Sequence, residues 1–396
     1  MKNLFVFIFL VCTGCIMDNK RSSDLSVLQI DNSDILEIQD ASAYFDTRII
    51  PLQSAIEGQF ISSGNGDFLF LDSLILLIDR TDLAAVTLFD TTGRFKWQLK
   101  AGEAEGIGAL SGIGSVEWYE DSGKLEIYDD NRRRFMYYDL EKNFLGSEPC
   151  DVDFEDKKMI KPGLFAFSTF LENNTHITPK GDYNMYSVLL VGSEGVNKGL
   201  LPFSAALTEK IQFINNKRFS WSESGIFYHR MFSDTIYNFY NDSLTPDYVI
   251  RFLHNHAGAD FFLQLNQLDD AKIIFQNNHP YIIETVRMND KIFVIYEYNT
   301  KYHFALIDIS SGSGATLLNA SMLKIEDQIL PVPFCYKDGW FSTVLAKPNW
   351  NFLLEYSTAL KTSNSLSTTQ MQAMMAKYDF YKDTENPVVI LFRPKL

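Results

Sequence analysis

Residues Leu74 to Phe95 read LILLIDRTDLAAVTLFDTTGRF, in which an apolar strand ends at an acidic residue, and a second apolar strand ends at another before a turn. The same pattern returns from Lys124 to Phe144 and from Lys291 to Gly314. A hairpin repeated along one chain is typical of an architecture assembled blade by blade. The repeats therefore predict an all-β protein, a β-propeller with four-stranded antiparallel blades.

The acidic residues that end the two strands keep their spacing in all three copies. In each copy they stand ten or eleven positions apart, as Asp79 and Asp90, Asp129 and Asp139, and Glu297 and Asp308. An ordinary meander also repeats strand, turn and strand. The recurrence of both the spacing and the turn favours blades of shared origin.

The N-terminus has the pattern of an export signal. Lys2 supplies a positive charge, and Leu4 to Val11 form an apolar run too short to span a bilayer as a helix. Thr13 and Gly14, before Cys15, resemble a bacterial lipobox, although Cys12 stands where such motifs usually carry leucine. This resemblance implies cleavage before Cys15 and acylation of Cys15. The alternative is an ordinary secretory signal.

The remaining chain divides into a short tether and one large domain. We predict a signal peptide at 1–14, a polar tether at 15–40 and the propeller domain at 41–396. Apolar residues at helical spacing predict a helical insert near 258–275 and a C-terminal helix near 367–378. Ile49 to Leu52 and Pro387 to Phe392 are the strands expected to pair and close the ring, because closure removes exposed sheet edges.

Composition limits the partners of the protein. The chain has 396 residues and a net charge of −15, which argues against nucleic-acid binding and against docking on anionic lipid. We therefore expect membrane contact through the N-terminal lipid alone. Cys150 and Cys335 do not form a disulfide framework, and we expect both to be free, largely buried thiols.

Candidate chemistry in the sequence is sparse. His254 and His256 could bind a metal with a third ligand such as Asp260, but a polar loop between blades fits this segment better. The basic run from Arg132 to Arg134 could bind a carboxylate or phosphate, although a solvated hairpin loop is the simpler interpretation. A glycine loop that opens a helix, as nucleotide binding requires, is missing from the sequence. We expect no metal and no cofactor.

Several short motifs, in order, carry a family resemblance. They are Ile50-Pro51-Leu52, the hairpin from Ile78 to Phe95, the stretches 232–237 and 244–248, and the closing segment 385–389. With them the chain resembles the six-bladed β-propeller lipoproteins of Bacteroidetes, which have a TolB-like fold. The resemblance implies six blades and an outer-membrane lipoprotein that faces the periplasm or the cell surface. The glycine-rich segment from Gly102 to Gly106 only partly matches the family pattern.

The function expected from these observations is binding. We predict a monomeric extracytoplasmic binding or protein-interaction module for an unknown protein, peptide or glycan ligand, with loop aromatics such as Trp118 and Trp221 and neighbouring acids in contact with it. The alternative is a hydrolase or lyase that acts on glycans or peptides in the central channel. No catalytic residue can be assigned, because fold alone does not decide chemistry.

Overall fold

The computed structural model describes residues 25–395, apart from longer gaps at 54–66, 178–182, 204–218, 256–278 and 346–386 and several gaps of one to three residues. The described residues form strands β1 to β27 and short 3-10 helices, with no α-helix among them. The helices expected near 258–275 and 367–378 fall in the gaps, outside the described residues. In the part of the chain that the structure describes, no helix is long and apolar enough to cross a membrane.

The strands form six sheets, the blades of a six-bladed propeller. The first three blades are consecutive four-stranded antiparallel meanders. Blade 1 contains β4 (Asp67–Leu71), β5 (Leu74–Asp79), β6 (Ala85–Asp90) and β7 (Phe95–Lys100). Blade 2 contains β8 (Val116–Tyr119), β9 (Lys124–Asp129), β10 (Arg134–Tyr138) and β11 (Phe144–Pro149). Blade 3 contains β12 (Asp156–Lys161), β13 (Leu164–Ser168), β14 (Tyr186–Gly192) and β15 (Gly195–Pro202).

The last three blades also take strands from the N-terminus, β1 (Ser26–Ile30), β2 (Leu36–Asp40) and β3 (Phe45–Pro51). Blade 4 contains β16 (Phe219–Ser222), β17 (Gly225–His229), β18 (Thr235–Tyr240) and β19 (Ser243–Phe252). Blade 5 contains β20 (Tyr281–Met288), β21 (Lys291–Tyr298), β22 (Lys301–Asp308) and β23 (Ala315–Ile325), and β24 (Gln328–Pro331) pairs with β23. Blade 6 contains β25 (Cys335–Lys337), β26 (Trp340–Leu345), β27 (Val388–Pro394) and β3.

The first strand of each blade lies nearest the ring centre. Contacts between neighbouring blades join β4 to β8, β12 to β16, β16 to β20, β20 to β25 and β25 back to β4. Within each meander, the first-to-second and third-to-fourth strand connections lie at one end of the blade. We call this end the turn face, and the opposite end, which carries most of the longer connections, the loop face.

The ring closes by pairing the two chain ends, as the sequence predicts. β3 runs antiparallel to β27, with Ile49 opposite Ile390 and Ile50 opposite Val389. The Leu52 amide then donates to the Pro387 carbonyl at 3.1 Å. An N-terminal strand therefore completes the last blade.

Two further N-terminal strands lie where the sequence analysis places a tether. β1 pairs in parallel with β19 on the outer edge of blade 4, and β2 pairs in parallel with β23 on the outer edge of blade 5. Leu28 and Ile30 alternate with exposed residues and are buried between these blades. This alternation is the burial pattern of an edge strand, and it explains why residues 26–30 and 36–40 are ordered against the ring.

Phe45, the first residue of β3, is a centre of the packing between blades 5 and 6. Its ring is fully buried and lies 5.7 to 6.1 Å, centroid to centroid, from the rings of Phe293, Phe304, Phe341 and Phe392. Aromatic pairs at this separation stabilise a core beyond the area that they bury.

The repeated hairpins are confirmed, and the second acidic residue of each repeat is hydrogen-bonded within the turn that follows it. Each acid that ends a third strand accepts a hydrogen bond from the backbone amide two residues later. The distances are 2.9 Å from Thr92 to Asp90, 3.0 Å from Glu141 to Asp139 and 2.8 Å from Ser310 to Asp308. Hydrogen bonds to a carboxylate favour its charged form. Those from Thr92 and Arg94 accordingly lower the pKa of Asp90 to about 2.

Candidate functional site

A groove of about 640 Å³ opens on the turn face, where blades 6, 1 and 2 meet. Its floor is apolar and its rim is charged. The lining includes Phe70, Trp118 and Trp340 among its apolar residues and Arg48, Arg393 and Glu120 among its charged ones.

Strand register places the blade 6 side of the groove. Arg48 on β3 stands opposite Leu391 on β27, so that Arg48, Leu391 and Arg393 share one face of the sheet. Phe341 on β26 stands opposite Phe392 on β27, so both lie on the other face of the sheet. Trp340, the residue before Phe341, therefore shares the face of the two arginines. The sequence at the ring closure therefore assembles two arginines and one tryptophan from three strands.

On the blade 1 side, the groove borders the hydrophobic core between blades 6 and 1. Phe68 is buried between blades 6 and 1, and Phe70, two residues later on β4, is partly exposed at the end of this core. The Phe70 ring lies 6.3 Å from the Trp340 ring and 6.2 Å from the Phe68 ring. The floor is thus held by ring packing, which keeps its shape without a ligand.

Blade 2 completes the groove through its first turn and third turn. Trp118 packs against the core between blades 1 and 2, whereas its neighbours Glu117 and Tyr119 point to the other side of β8. The Trp97 indole of blade 1 donates to the Leu140 carbonyl at 2.6 Å, which fixes the blade 2 turn that lines the groove.

The two arginines set the electrostatics. The Arg393 guanidinium lies 5.7 Å from the centroid of the Trp340 ring, and Arg48 donates to the Thr91 carbonyl at 2.5 Å. Within the described residues neither guanidinium forms an ion pair with a carboxylate. Both are exposed, whereas Glu120 supplies the one negative charge of the described lining. Such a groove can hold a ligand with an apolar face and an anionic group.

A second cluster of ionisable groups lies between blades 2 and 3. Lys157 on β12 forms an ion pair with Glu126 on β9, and their side chains are only 2% and 4% exposed. The Lys157 ammonium also lies 4.1 Å from the Phe135 ring centroid and 4.7 Å from that of Phe165. Lys157 is therefore enclosed by aromatic rings and paired with the Glu126 carboxylate.

Tyr119 connects this pair to Glu117 on β8, which stands directly across from Glu126 on β9. The Tyr119 hydroxyl lies 2.9 Å from Glu117 Oε2 and 3.4 Å from Glu126 Oε1. Burial, with the nearby carboxylates, raises the pKa of Tyr119 far above its usual value, and burial also raises the pKa of Glu126. Because the pair is sealed from solvent, its geometry fits the joining of two blades rather than turnover of a substrate.

The residues singled out as possible metal ligands are not brought together in the described structure. His254 is exposed and lies 3.5 Å from Asp31, while His256 and Asp260 lie outside the described residues. Among the residues that can be described, no group of three or more His, Cys, Asp or Glu side chains could hold a metal ion. Cys15, the predicted lipidation site, also lies outside them.

The arginine run is divided among different neighbours. Arg132 donates to the Ala109 carbonyl, Arg133 pairs with Asp153 at 3.0 Å, and Arg134 donates to the Ser147 hydroxyl at 2.8 Å. The three side chains therefore do not converge on one anion.

Cys150 is buried and free, and burial raises the pKa of its thiol to about 11. The Cys335 side chain is outside the described set.

Of the two tryptophans that the sequence suggests as ligand contacts, one lies in the groove. Trp118 lines it beside the acid Glu120, whereas the Trp221 side chain is outside the described set. Arg48, Arg393 and Trp340 were missed. The pairing of Ile49 to Leu52 with Pro387 to Phe392 carried the signal for them, because that pairing brings the two arginines to one sheet.

Comparison with known proteins adds the family and the fold. A model of the family described as "Domain of unknown function (DUF4934)" matches residues 24–393. The chain is similar to a solved structure from Bacteroides fragilis NCTC 9343 described as a "putative exported protein". The TM-score is 0.66 and the identity 12%, over 93% of this chain and 99% of that one.

It is also similar to a member of the DUF4221 family from Bacteroides vulgatus ATCC 8482. There the TM-score is 0.47 and the identity 10%, over 89% of this chain and 99% of that one. At such identities the likeness concerns the fold alone. No protein with a curated description matches the sequence.

Proposed function

This chain belongs to the DUF4934 family, and we propose that it is a lipid-anchored extracytoplasmic binding module whose ligand occupies the turn-face groove. The observation that carries the proposal is the groove itself, with three aromatic rings and two arginines in about 640 Å³. This volume is within the range of small-molecule sites, which are mostly apolar with a few placed polar groups.

Export and anchoring follow from the N-terminal sequence. The apolar run and the small residues before Cys15 support export and acylation, and a similar Bacteroides protein is described as a "putative exported protein". The first strand begins at Ser26, eleven residues after Cys15. An extended chain of this length reaches at most about 40 Å. The outer edge of blade 4 would therefore stay close to the outer membrane, on its periplasmic or surface side.

The anchor is tested by replacing Cys15 with serine. The wild-type protein should fractionate with membranes, and the variant should be released, because the acyl chains are its only expected membrane contact. Mass spectrometry of membrane-extracted protein should find a processed, acylated Cys15. An unmodified Cys15 in native membranes would overturn the anchoring.

The groove is tested by tryptophan fluorescence of the purified full chain, titrated with envelope oligosaccharides and peptides. A ligand should change the emission, and Trp340→Ala and Trp118→Ala should each weaken its binding at least tenfold. Tyr240→Ala is the matched control, because Tyr240 is an aromatic residue 68% exposed on a blade 4 turn. Binding that survives both tryptophan replacements would place the ligand elsewhere.

A further inference from the structure

The groove concentrates positive charge in an acidic protein. The chain carries a net charge of −15, yet Arg48 and Arg393 lie on one sheet face with no carboxylate paired to either within the described residues. Their described contacts are the Thr91 carbonyl and the Trp340 ring. Neither contact neutralises a guanidinium, and Asp46, the carboxylate opposite Arg393 on β3, pairs with Lys395 at 3.0 Å. As far as the described residues go, both charges are therefore available to an anion in the groove.

We propose that the groove binds an acidic saccharide, a sugar that carries a carboxylate; this deepens the proposed binding function and rests on it. Arg48 and Arg393 bind the carboxylate, because a guanidinium matches a carboxylate in a two-bond arrangement. The apolar face of a sugar ring packs on the aromatic floor that Phe70 and Trp118 form with Trp340.

The polar rim fits a hydroxyl-rich ligand. Ser73 and Thr91 bring hydroxyl groups to the lining, and the Glu120 carboxylate is an acceptor for sugar hydroxyls. A peptide recognised by strand addition needs a free sheet edge. The groove instead presents side chains that project from sheet faces, such as Arg48, Leu391 and Arg393. These features favour a saccharide over a peptide.

The test separates charge from sugar recognition. The full chain is titrated with oligomers of galacturonate, glucuronate and N-acetylneuraminate, each beside its neutral methyl ester, and with an acidic aspartate-rich peptide. At least one acidic oligomer should bind about tenfold or more tightly than its ester, because a hydrogen bond to a charged group contributes that much. Raising the salt concentration should weaken the binding.

Two variants identify the arginines. Arg48→Gln and Arg393→Gln should each reduce affinity for the acidic oligomer roughly tenfold and bring it toward the affinity for the ester. Arg251→Gln is the matched control, since Arg251 is an exposed arginine of blade 4 that pairs with Asp234 at 3.6 Å. It should bind both forms as the wild type does.

The outcomes are distinct. Equal affinity for the acid and its ester, or tighter binding of the aspartate peptide, overturns the acidic saccharide and leaves the binding function standing. Tryptophan variants that do not affect any ligand overturn the groove as the site, and the acidic saccharide falls with it. Loss of acid binding in Arg251→Gln as well would show that the effect is one of net charge and contradict the role of the two arginines.

Discussion

Replacing Lys157 with methionine should destabilise the propeller strongly. The change keeps the length of the side chain and removes its charge, so Glu126 would remain buried without its counter-charge. Breaking a buried ion pair by removing one partner costs about 3–5 kcal/mol. The loss of ammonium contacts with the Phe135 and Phe165 rings acts in the same direction.

The pH dependence of this variant has a definite sign. Burial already raises the pKa of Glu126, and Lys157 opposes that rise, so the pKa should rise further in Lys157→Met. A carboxyl group with a raised folded pKa destabilises the protein above its unfolded pKa, about 4.3. The difference in unfolding free energy between wild type and variant should therefore shrink as the pH is lowered from 7.5 to 5, because Glu126 then takes up a proton.

Urea denaturation followed by circular dichroism measures the free energy of unfolding. Lys161→Met on the same strand is the matched control, because its pair with Asp242 is 56% and 44% exposed and should contribute under about 1 kcal/mol. The double variant Lys157→Met with Glu126→Leu should recover most of the loss. A loss below about 1 kcal/mol in Lys157→Met, or a double variant no more stable than the single, would show that the charge of Lys157 does not stabilise buried Glu126.

Three further measurements test the packing around Phe45, the closure of the ring and the turn after Asp90. Phe45→Ala should lower the free energy of unfolding by about 3–5 kcal/mol, and a urea titration that finds under about 1 kcal/mol would contradict this. Deleting Pro387 to Leu396 removes β27 and should abolish cooperative unfolding, which an unchanged melting temperature would disprove. NMR titration should give Asp90 a pKa of about 2, with its stabilisation present above about pH 3.9 and lost as the pH falls toward 2; a value near 3.9 would exclude the turn contacts.

The repeats and the ring closure could be predicted because their signals are local. A carboxylate at the end of a strand accepts a hydrogen bond from the backbone amide two residues later. Asp90 does so in blade 1 and Asp308 does so in blade 5. The N-terminal strands were harder to predict. Residues 26–30 and 36–40 are short and flanked by polar residues, and their pairing partners lie more than 200 residues away. Only the positions of β19 and β23 explain why Leu28 and Ile30 are buried.

The groove depended on contacts across three blades. Trp118 was accessible to sequence reasoning as an aromatic residue beside acids. Arg393 and Trp340, in contrast, meet only through the register of β26 and β27, which are separated by the long segment 346–386. The buried Lys157 was missed because a lysine on an innermost strand looks solvated until the rings of blades 2 and 3 enclose it.

Fluorine NMR of the full chain labelled with 5-fluorotryptophan shows whether the ligand occupies the turn-face groove. The protein is titrated with the saccharide that binds best in the panel. The Trp118 and Trp340 signals should move together with one common affinity, because both rings line the groove. Saturation by the ligand with both signals unchanged would place the ligand outside the groove and contradict this site.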